Sequence, residues 1–590
     1  MALRLPTRES RPASPLGTRA IRIAFAGLAL LLLPALGFAD EGALPVRPNI
    51  LLLVAEDMSP RLGAFGDPVA VTPNIDRLAS QGVRFPNTFT TAGVCAPSRA
   101  ALITGRYQTS IGAHAMRASS YARGRPAVLP QGYEVVPPPA VKAFPELLRA
   151  AGYATLNGVK TDYQFGDPFS VWDENGFFVE WSDHPEGRPF FAMQNFMVTH
   201  ESGLFPKRFP RDGVEAALGL LHLGYAFDRE AGVDPESVEI PAYYPDTPTV
   251  RRALARQYDN IAVLDAEVGR ILAELEAKGL AESTIVVFTT DHGDGLPRAK
   301  REVYDSGIRV PLVIRWPRRW LPQGLEVGSV DPRLVSFIDL APQILAFAGL
   351  ATPPWMHGRP FVGPESGPPR ERVFAAKDRM DEVRDRVRAV RDQHFKYIRN
   401  FRPEDPGAQR LAFRDRLDLM AELWALREAG KLTGPQALWF ESPRQEEELY
   451  DLRSDPDEVR NLADDPAHAA TLGRLRADLD AWLLAYPDLG AVPEAELIER
   501  FWPGGVQPVT AAPTFEVEAG GTGARRLRLR SASHGASIGY RRNGAGSVSE
   551  WDLFTEPFEV LPGDRIETKA IRYGYAESDV VEFEVPEGTL

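Results

Sequence analysis

Two short, nearly continuous apolar runs in this chain break off abruptly in acids. Pro48-Asn-Ile-Leu-Leu-Leu-Val-Ala55 runs into Glu56-Asp57, and Thr284-Ile-Val-Val-Phe-Thr-Thr290 runs into Asp291-His292-Gly293-Asp294. Side chains on a strand point alternately to the two faces of a sheet, so a strand with one wet face alternates apolar and polar residues. A run without alternation reads as a strand buried on both faces, the habit of parallel sheets covered by helices. Such sheets bind ligands beyond the carboxyl ends of their strands. Glu56, Asp57, Asp291 and His292 stand at that place in both runs. Taken singly, each pair also fits the description of solvated loop acids. Together they offer carboxylate oxygens and one imidazole, a donor set that suits calcium or magnesium.

The intervening sequence alternates helix and strand signals. Thr72-Pro73 opens a helix with Thr72 as N-cap and Pro73 at its first position. Phe144 to Ala151 reads as a short helix closed by Gly152, followed by a strand over Tyr153 to Asn157. The apolar run Pro189 to Thr199 ends in His200, a fair acid/base candidate at a strand end. Ile261, Leu264, Val268, Ile271, Leu272 and Leu275 recur at helical spacing up to Gly279. The expected fold class is α/β, a mixed and mostly parallel sheet sandwiched by helices. A smaller α+β lobe and a β-sandwich are expected to follow.

Cys95 is the one cysteine in 590 residues, so the chain closes no internal disulfide. Most free cysteines are buried apolar thiols. The neighbours of this one favour chemistry. Pro97 is pre-organised for a first helical turn, Ser98 through Thr104 continue it, and Gly105 ends it. Cys95 then sits beside a helix N-terminus, where backbone N–H groups favour an anion, with Arg99 one turn on.

Cys95-Ala-Pro97-Ser98-Arg99 followed by Thr104-Gly105-Arg106 resembles the signature of the type I sulfatases, in the alkaline phosphatase superfamily. Further matches are Thr72-Pro-Asn-Ile-Asp-Arg-Leu-Ala79, Lys160 after Gly158, and the order Asp291-His-Gly, Lys300, Tyr304, Gly307-Ile-Arg-Val-Pro311. The resemblance runs over residues 48–490, and the stretch from Ile240 to Asp291 is most similar to heparan N-sulfatase and its bacterial relatives. It implies a sulfatase acting on a sulfate ester or sulfamate of a glycan, with an alkaline-phosphatase-like fold. It implies that a maturation enzyme converts Cys95 to formylglycine. One hydroxyl of the formylglycine hydrate attacks sulfur and expels the alcohol; deprotonation of the other releases sulfate. Arg99 and Lys160 would hold the nucleophile and the sulfate, Lys300 would hold the sulfate, and His200 would protonate the leaving group. Glu56, Asp57, Asp291 and His292, with the modified Cys95, would bind one divalent cation, commonly calcium. Two positions depart from the family pattern: Glu56 replaces an aspartate, and Asp162 stands where a histidine is usual. The alternatives are a phosphodiester or phosphonate monoester hydrolase of the same superfamily, and a non-catalytic glycan-binding protein on this scaffold.

A net charge of −13 makes nucleic acid an unsuitable partner. Residues 1–39 read as an export signal, with a basic lead from Arg4 to Arg22, an apolar centre and Gly37-Phe-Ala39 as a cleavage site. No later run is apolar enough to span a membrane, so the mature chain is expected in the periplasm or secreted, without a stable membrane span. Residues 47–385 read as the catalytic domain, 386–502 as its C-terminal subdomain and 503–513 as a linker. Short alternating strands over 514–590 read as a β-sandwich similar to the C-terminal domain of chitobiase-type glycosidases. Trp551 could stack on sugar, but core packing is favoured.

Overall fold

A computed structural model describes residues 47–116, 132–206, 232–519, 525–542 and 551–587. The expected export signal, residues 1–39, lies outside these. The two acid-terminated runs form neighbouring strands. In chain order, one sheet contains β1 (Asn49–Ala55), β2 (Val83–Arg84), β3 (Ala154–Gly158), β4 (Glu174–Gly176), β5 (Phe190–Phe196), β6 (Thr284–Thr290) and β7 (Leu312–Arg315). Their order across the sheet is β2-β7-β6-β1-β5-β3-β4. β4, β3, β5, β1 and β6 are mutually parallel, while at one edge β7 runs antiparallel to β6 and β2 antiparallel to β7. β1 is central, and Ala55 pairs with both Phe196 and Thr290, so three strands end level.

Helices cover both faces, which is why β1 needs no polar side. Ile50, Leu52 and Val54 pack with residues of α2 (Cys95–Thr104), α3 (Phe144–Ala150) and, further along the chain, the helix Leu340–Phe347. Leu51, Leu53 and Ala55 face α1 (Pro73–Gln81) and α4 (Pro248–Ala277), whose apolar stripe Ile261 to Leu275 is the predicted one. α4 is 30 residues long and opens at Thr247, whose hydroxyl accepts from the Val250 N–H at 3.2 Å. The α1 terminus differs from expectation. Thr72 makes no capping hydrogen bond. Asp265 of α4 does so from outside the helix, accepting from the backbone N–H of Asn74 at 3.0 Å and of Ile75 at 2.8 Å.

The second lobe is a four-stranded antiparallel sheet of β8 (Val373–Lys377), β9 (Val387–Arg391), β10 (Phe395–Asn400) and β11 (Glu447–Asp451). The helix Ala469–Ala485 packs Leu472, Leu475, Leu479 and Trp482 against it. The C-terminal residues form sheets of three and four antiparallel strands around Leu527, Leu529, Ile538 and Ile566, a small β-sandwich as expected. It is fastened to the part of the chain that carries the seven-stranded sheet. Trp551 is 5% exposed and lies beside Phe169, with ring centroids 6.4 Å apart. Its carbonyl accepts from Arg149. Trp551 is therefore packed at the junction between domains rather than offered to a sugar.

Candidate active site

The level ends of β1, β5 and β6 place their following residues on one floor. After β1 the chain turns through Glu56 and Asp57, both fully buried, with Asp57 held at a left-handed φ of 48°. Its N–H donates to Asp291 Oδ1 at 3.1 Å, tying the β1 end to the β6 end. α2 begins at Cys95 and ends at Gly105, whose φ of 64° lets its N–H cap the Ala101 carbonyl. All ten of its residues are buried, so Cys95 is presented at the N-terminus of a helix sealed on every side.

Cys95 Sγ lies 3.4 Å from His292 Nε2, 3.8 Å from Asp57 Oδ1 and 3.9 Å from Glu56 Oε2. Asp57, Cys95, Asp291 and His292 converge with ligand atoms within 4.8 Å of one another, and so do Glu56, Asp57, Cys95 and His200. Lys300 Nζ donates to Asp57 Oδ2 at 2.5 Å, and Lys160 Nζ to Glu56 Oε2 at 2.5 Å. Lys160 is also 3.6 Å from Asp162. Glu56, Asp57, Cys95, Lys160, His200, Asp291, His292 and Lys300 thus lie around one centre.

The sulfatase family profile matches residues 48–350. A 566-residue alignment, covering 92% of this chain and 92% of the relative, shows 41% identity with an ulvan-active sulfatase of Formosa agariphila. The chain belongs to the sulfatase family. As such it is a sulfuric ester hydrolase. A second profile, for the C-terminal part of N-sulphoglucosamine sulphohydrolase, matches residues 298–406. The human enzyme of that name is 28% identical over 75% of this chain and 91% of its own. Among solved structures, BT4656 in complex with D-glucosamine-2-N,6-O-disulfate shares the fold, with a TM-score of 0.50 and 19% identity over 76% of this chain and all of that one.

Opposed charges are buried together in this sulfatase centre. Burial pushes the Glu56 carboxyl up against the pull of Arg99. Burial would raise Asp57 too, but Lys300, His200 and His292 hold it well below the usual range. Asp291 is held at about 2, since His292 and Arg99 outweigh burial. Against the cost of burial, Asp291 and Asp57 drive His292 up to about 10. The histidine geometry shows why. Nδ1 lies 2.9 Å from the Gly293 carbonyl and donates to it, which leaves Nε2 facing Asp57 Oδ1 at 2.9 Å. A neutral Nε2 lone pair against a carboxylate is repulsive, so the pair calls for a proton or a metal ion between them. Donation of the other ring nitrogen to a backbone carbonyl is the usual support of a metal-bound histidine. The donor set fits one hard cation.

Arg99 braces this centre from below: its guanidinium joins Glu56, Asp291 at 3.1 Å and Asn195 Oδ1 at 2.8 Å, holding the strand ends beside Cys95. Arg298 and Arg301, which flank Lys300 closely in the chain, are engaged elsewhere. Arg298 lies over the Tyr304 and Tyr243 rings at 4.0 and 4.3 Å, and Arg301 pairs with both Glu201 oxygens at 3.0 Å.

Sequence reasoning missed two groups. Asn195 on β5 donates to the carbonyls of Gly158 at 2.7 Å and Lys160 at 3.1 Å, linking Arg99 to the Lys160 turn. Glu201 receives Arg301 and its N–H donates to Asp57 Oδ2 at 2.7 Å. Asn195 stands in an apolar strand, a buried amide that needs partners; that was the one available signal.

Proposed function

We propose that this sulfatase removes a sulfate ester from a glycan, with Cys95 converted to formylglycine and one divalent cation, calcium before magnesium, held by Glu56, Asp57, Asp291 and His292. The observation that carries the reading is the position of Cys95 Sγ within 4 Å of groups from both acid-terminated strands, with two lysines on the same carboxylates. Formylglycine at this position supplies, as its hydrate, a hydroxyl to attack sulfur and a second whose deprotonation releases sulfate. The cation supplies charge neutralisation at the sulfate oxygens and acidifies the hydrate.

The chain's own residues do the rest. His200 Nδ1 lies 2.8 Å from Ser202 Oγ, which can accept its proton, so the charged ring carries its second, transferable proton on Nε2 and is left neutral when it gives that proton up. From Nε2 the proton passes to the sugar oxygen as the sulfur–oxygen bond breaks. Lys160 and Lys300 keep positive charge at the carboxylates and beside the sulfate. Asp162 orients Lys160. The names of the relatives favour a polysaccharide substrate, and the greater identity and coverage of the ulvan-active relative favours O-sulfate over sulfamate. Residues 1–39 would direct export to the periplasm or beyond, and a maturation enzyme would modify Cys95.

The test is production with and without a formylglycine-generating enzyme, peptide mass spectrometry at Cys95, and sulfate release from ulvan, N-sulfoglucosamine and 4-nitrophenyl sulfate. The expected result is sulfate release from ulvan and the aryl ester only when Cys95 has lost sulfur and reacts with hydrazide. Equal activity with the unmodified cysteine overturns the mechanism. Preference for an aryl phosphonate monoester over the sulfate overturns the substrate class.

A further inference from the structure

The turn that carries Lys160 is strained. Val159, Asp162 and Gln164 hold φ of 77°, 62° and 70°, conformations that cost non-glycine residues of order 1–3 kcal/mol each. Such a turn persists only where its surroundings over-determine it. On one side Asn195 grips its carbonyls. On the other, the support comes from the β-sandwich. Phe165 stacks on Tyr573, with ring centroids 5.1 Å apart and planes 13° apart, and Phe165 in turn lies 5.7 Å from Tyr163.

Tyr573 is fully buried and joins the core of the catalytic sheet. Its hydroxyl donates to Glu146 at 2.7 Å and accepts from the Ala143 N–H at 3.2 Å. Glu146 also accepts from Ser537 of the sandwich at 2.6 Å and from Ser170 of the catalytic domain at 2.5 Å. Burial opposes its charge, but Lys142 and these three hydroxyls keep the carboxyl below its usual range. Gly574, at φ 81°, brings the backbone so close that a Cβ there would lie 2.3 Å from the Val135 carbonyl oxygen. Val135 donates its N–H to the Gln164 carbonyl at 2.8 Å. The segment around Val135 is thus clamped between the Tyr573 turn and the Lys160 turn.

We infer that Tyr573 of the β-sandwich is a positioning residue for the sulfatase reaction, holding the Lys160 turn in its working shape through Phe165 and Val135. The appended domain is then a structural part of the active site as well as a candidate for carrying the enzyme to polymer. The inference rests on the proposed role of Lys160.

The experiment uses the full-length, modified enzyme and 4-nitrophenyl sulfate. Tyr573→Leu and Phe165→Leu, confirmed folded by a cooperative thermal transition, are expected to lower kcat/KM about tenfold or more. Tyr573→Phe, which keeps the ring, is expected to recover most of the loss. In a Lys160→Ala background Tyr573→Leu is expected to cost less than about twofold, because its effect runs through Lys160. Amide exchange over residues 158–166, followed by mass spectrometry, is expected to speed up in Tyr573→Leu. Equal losses in both backgrounds, or wild-type kinetics and exchange in Tyr573→Leu, overturn the inference. Should the wild-type chain turn over no sulfate ester, the functional reading fails, and the exchange measurement still decides whether Tyr573 holds the turn.

Discussion

His200 and Asp162 approach the reacting centre from different strand ends, and their chemistry separates them. Asp162 lies 3.6 Å from Lys160, where a carboxylate can orient the ammonium. An imidazole can hold a proton and give it to a leaving oxygen. His200→Ala is expected to slow cleavage of sugar sulfates by about 10²- to 10⁴-fold. The loss on 4-nitrophenyl sulfate, whose leaving group needs little proton help, is expected to be far smaller. Asp162→Asn is expected to be milder on both substrates. Steady-state rates on the paired substrates check this, and an equal loss on both in His200→Ala would remove the histidine from the acid role. The residues at this scale that were legible were those adjacent in sequence to a strong signal: acids after an apolar run, and a cysteine before Pro97. Asn195, Glu201 with Arg301, and Tyr573 act through partners scores of residues away, and no local period announces such pairings.

At the scale of elements, α1 depends on a neighbour for its start. Asp265 takes two backbone N–H groups and the Asn74 side-chain amide at 2.7 Å. Asp265→Ala leaves those donors buried without a partner and is expected to cost about 2 kcal/mol, read as a lower urea midpoint. The Thr-Pro signal located this helix correctly and misnamed its cap, because Thr72 instead accepts from the Gly63 N–H at 3.0 Å and donates to Asp76 at 3.1 Å. The turn after β6 is also tightly set. A Cβ on Gly293 would lie 2.1 Å from the Ser306 carbonyl oxygen, so Gly293→Ala is expected to displace His292 and weaken calcium binding, measured by calorimetry. The strands were legible because burial on both faces writes itself into composition. The crowding at Gly293 was not, since it is set by a segment that folds back later.

For the whole molecule, ion pairs help hold the second lobe together. Asp488, in the loop after the helix Ala469–Ala485, receives Arg388 of β9 at 2.7 Å and Arg386, just before that strand, at 2.8 Å. Burial opposes ionisation, but Arg388 and Arg386 hold Asp488 at about 2. Its unfolded value is 3.8, so the clamp is fully present above that pH and is lost as pH falls toward 2. The linkage amounts to about 2 kcal/mol. Asp488→Asn is expected to melt lower than wild type at pH 7, with the gap narrowing below about pH 4; a gap independent of pH would refute the clamp. The proposed cation offers a second whole-molecule test. Chelation is expected to abolish turnover and calcium to restore it, and full activity of metal-free protein would refute the site. Among the described residues no helix is long and apolar enough to cross a membrane.

Cys95 has no exposed surface and begins a helix that is buried throughout. On the proposed chemistry, that burial turns maturation into a race. The modifying enzyme must act before the helix docks, because afterwards the segment around Cys95 can no longer leave the fold to enter another enzyme's active site. Each molecule is then committed once. A preparation would be a frozen mixture of competent and incompetent copies with the same shape, and its specific activity would record the outcome of that race rather than the quality of the purified enzyme.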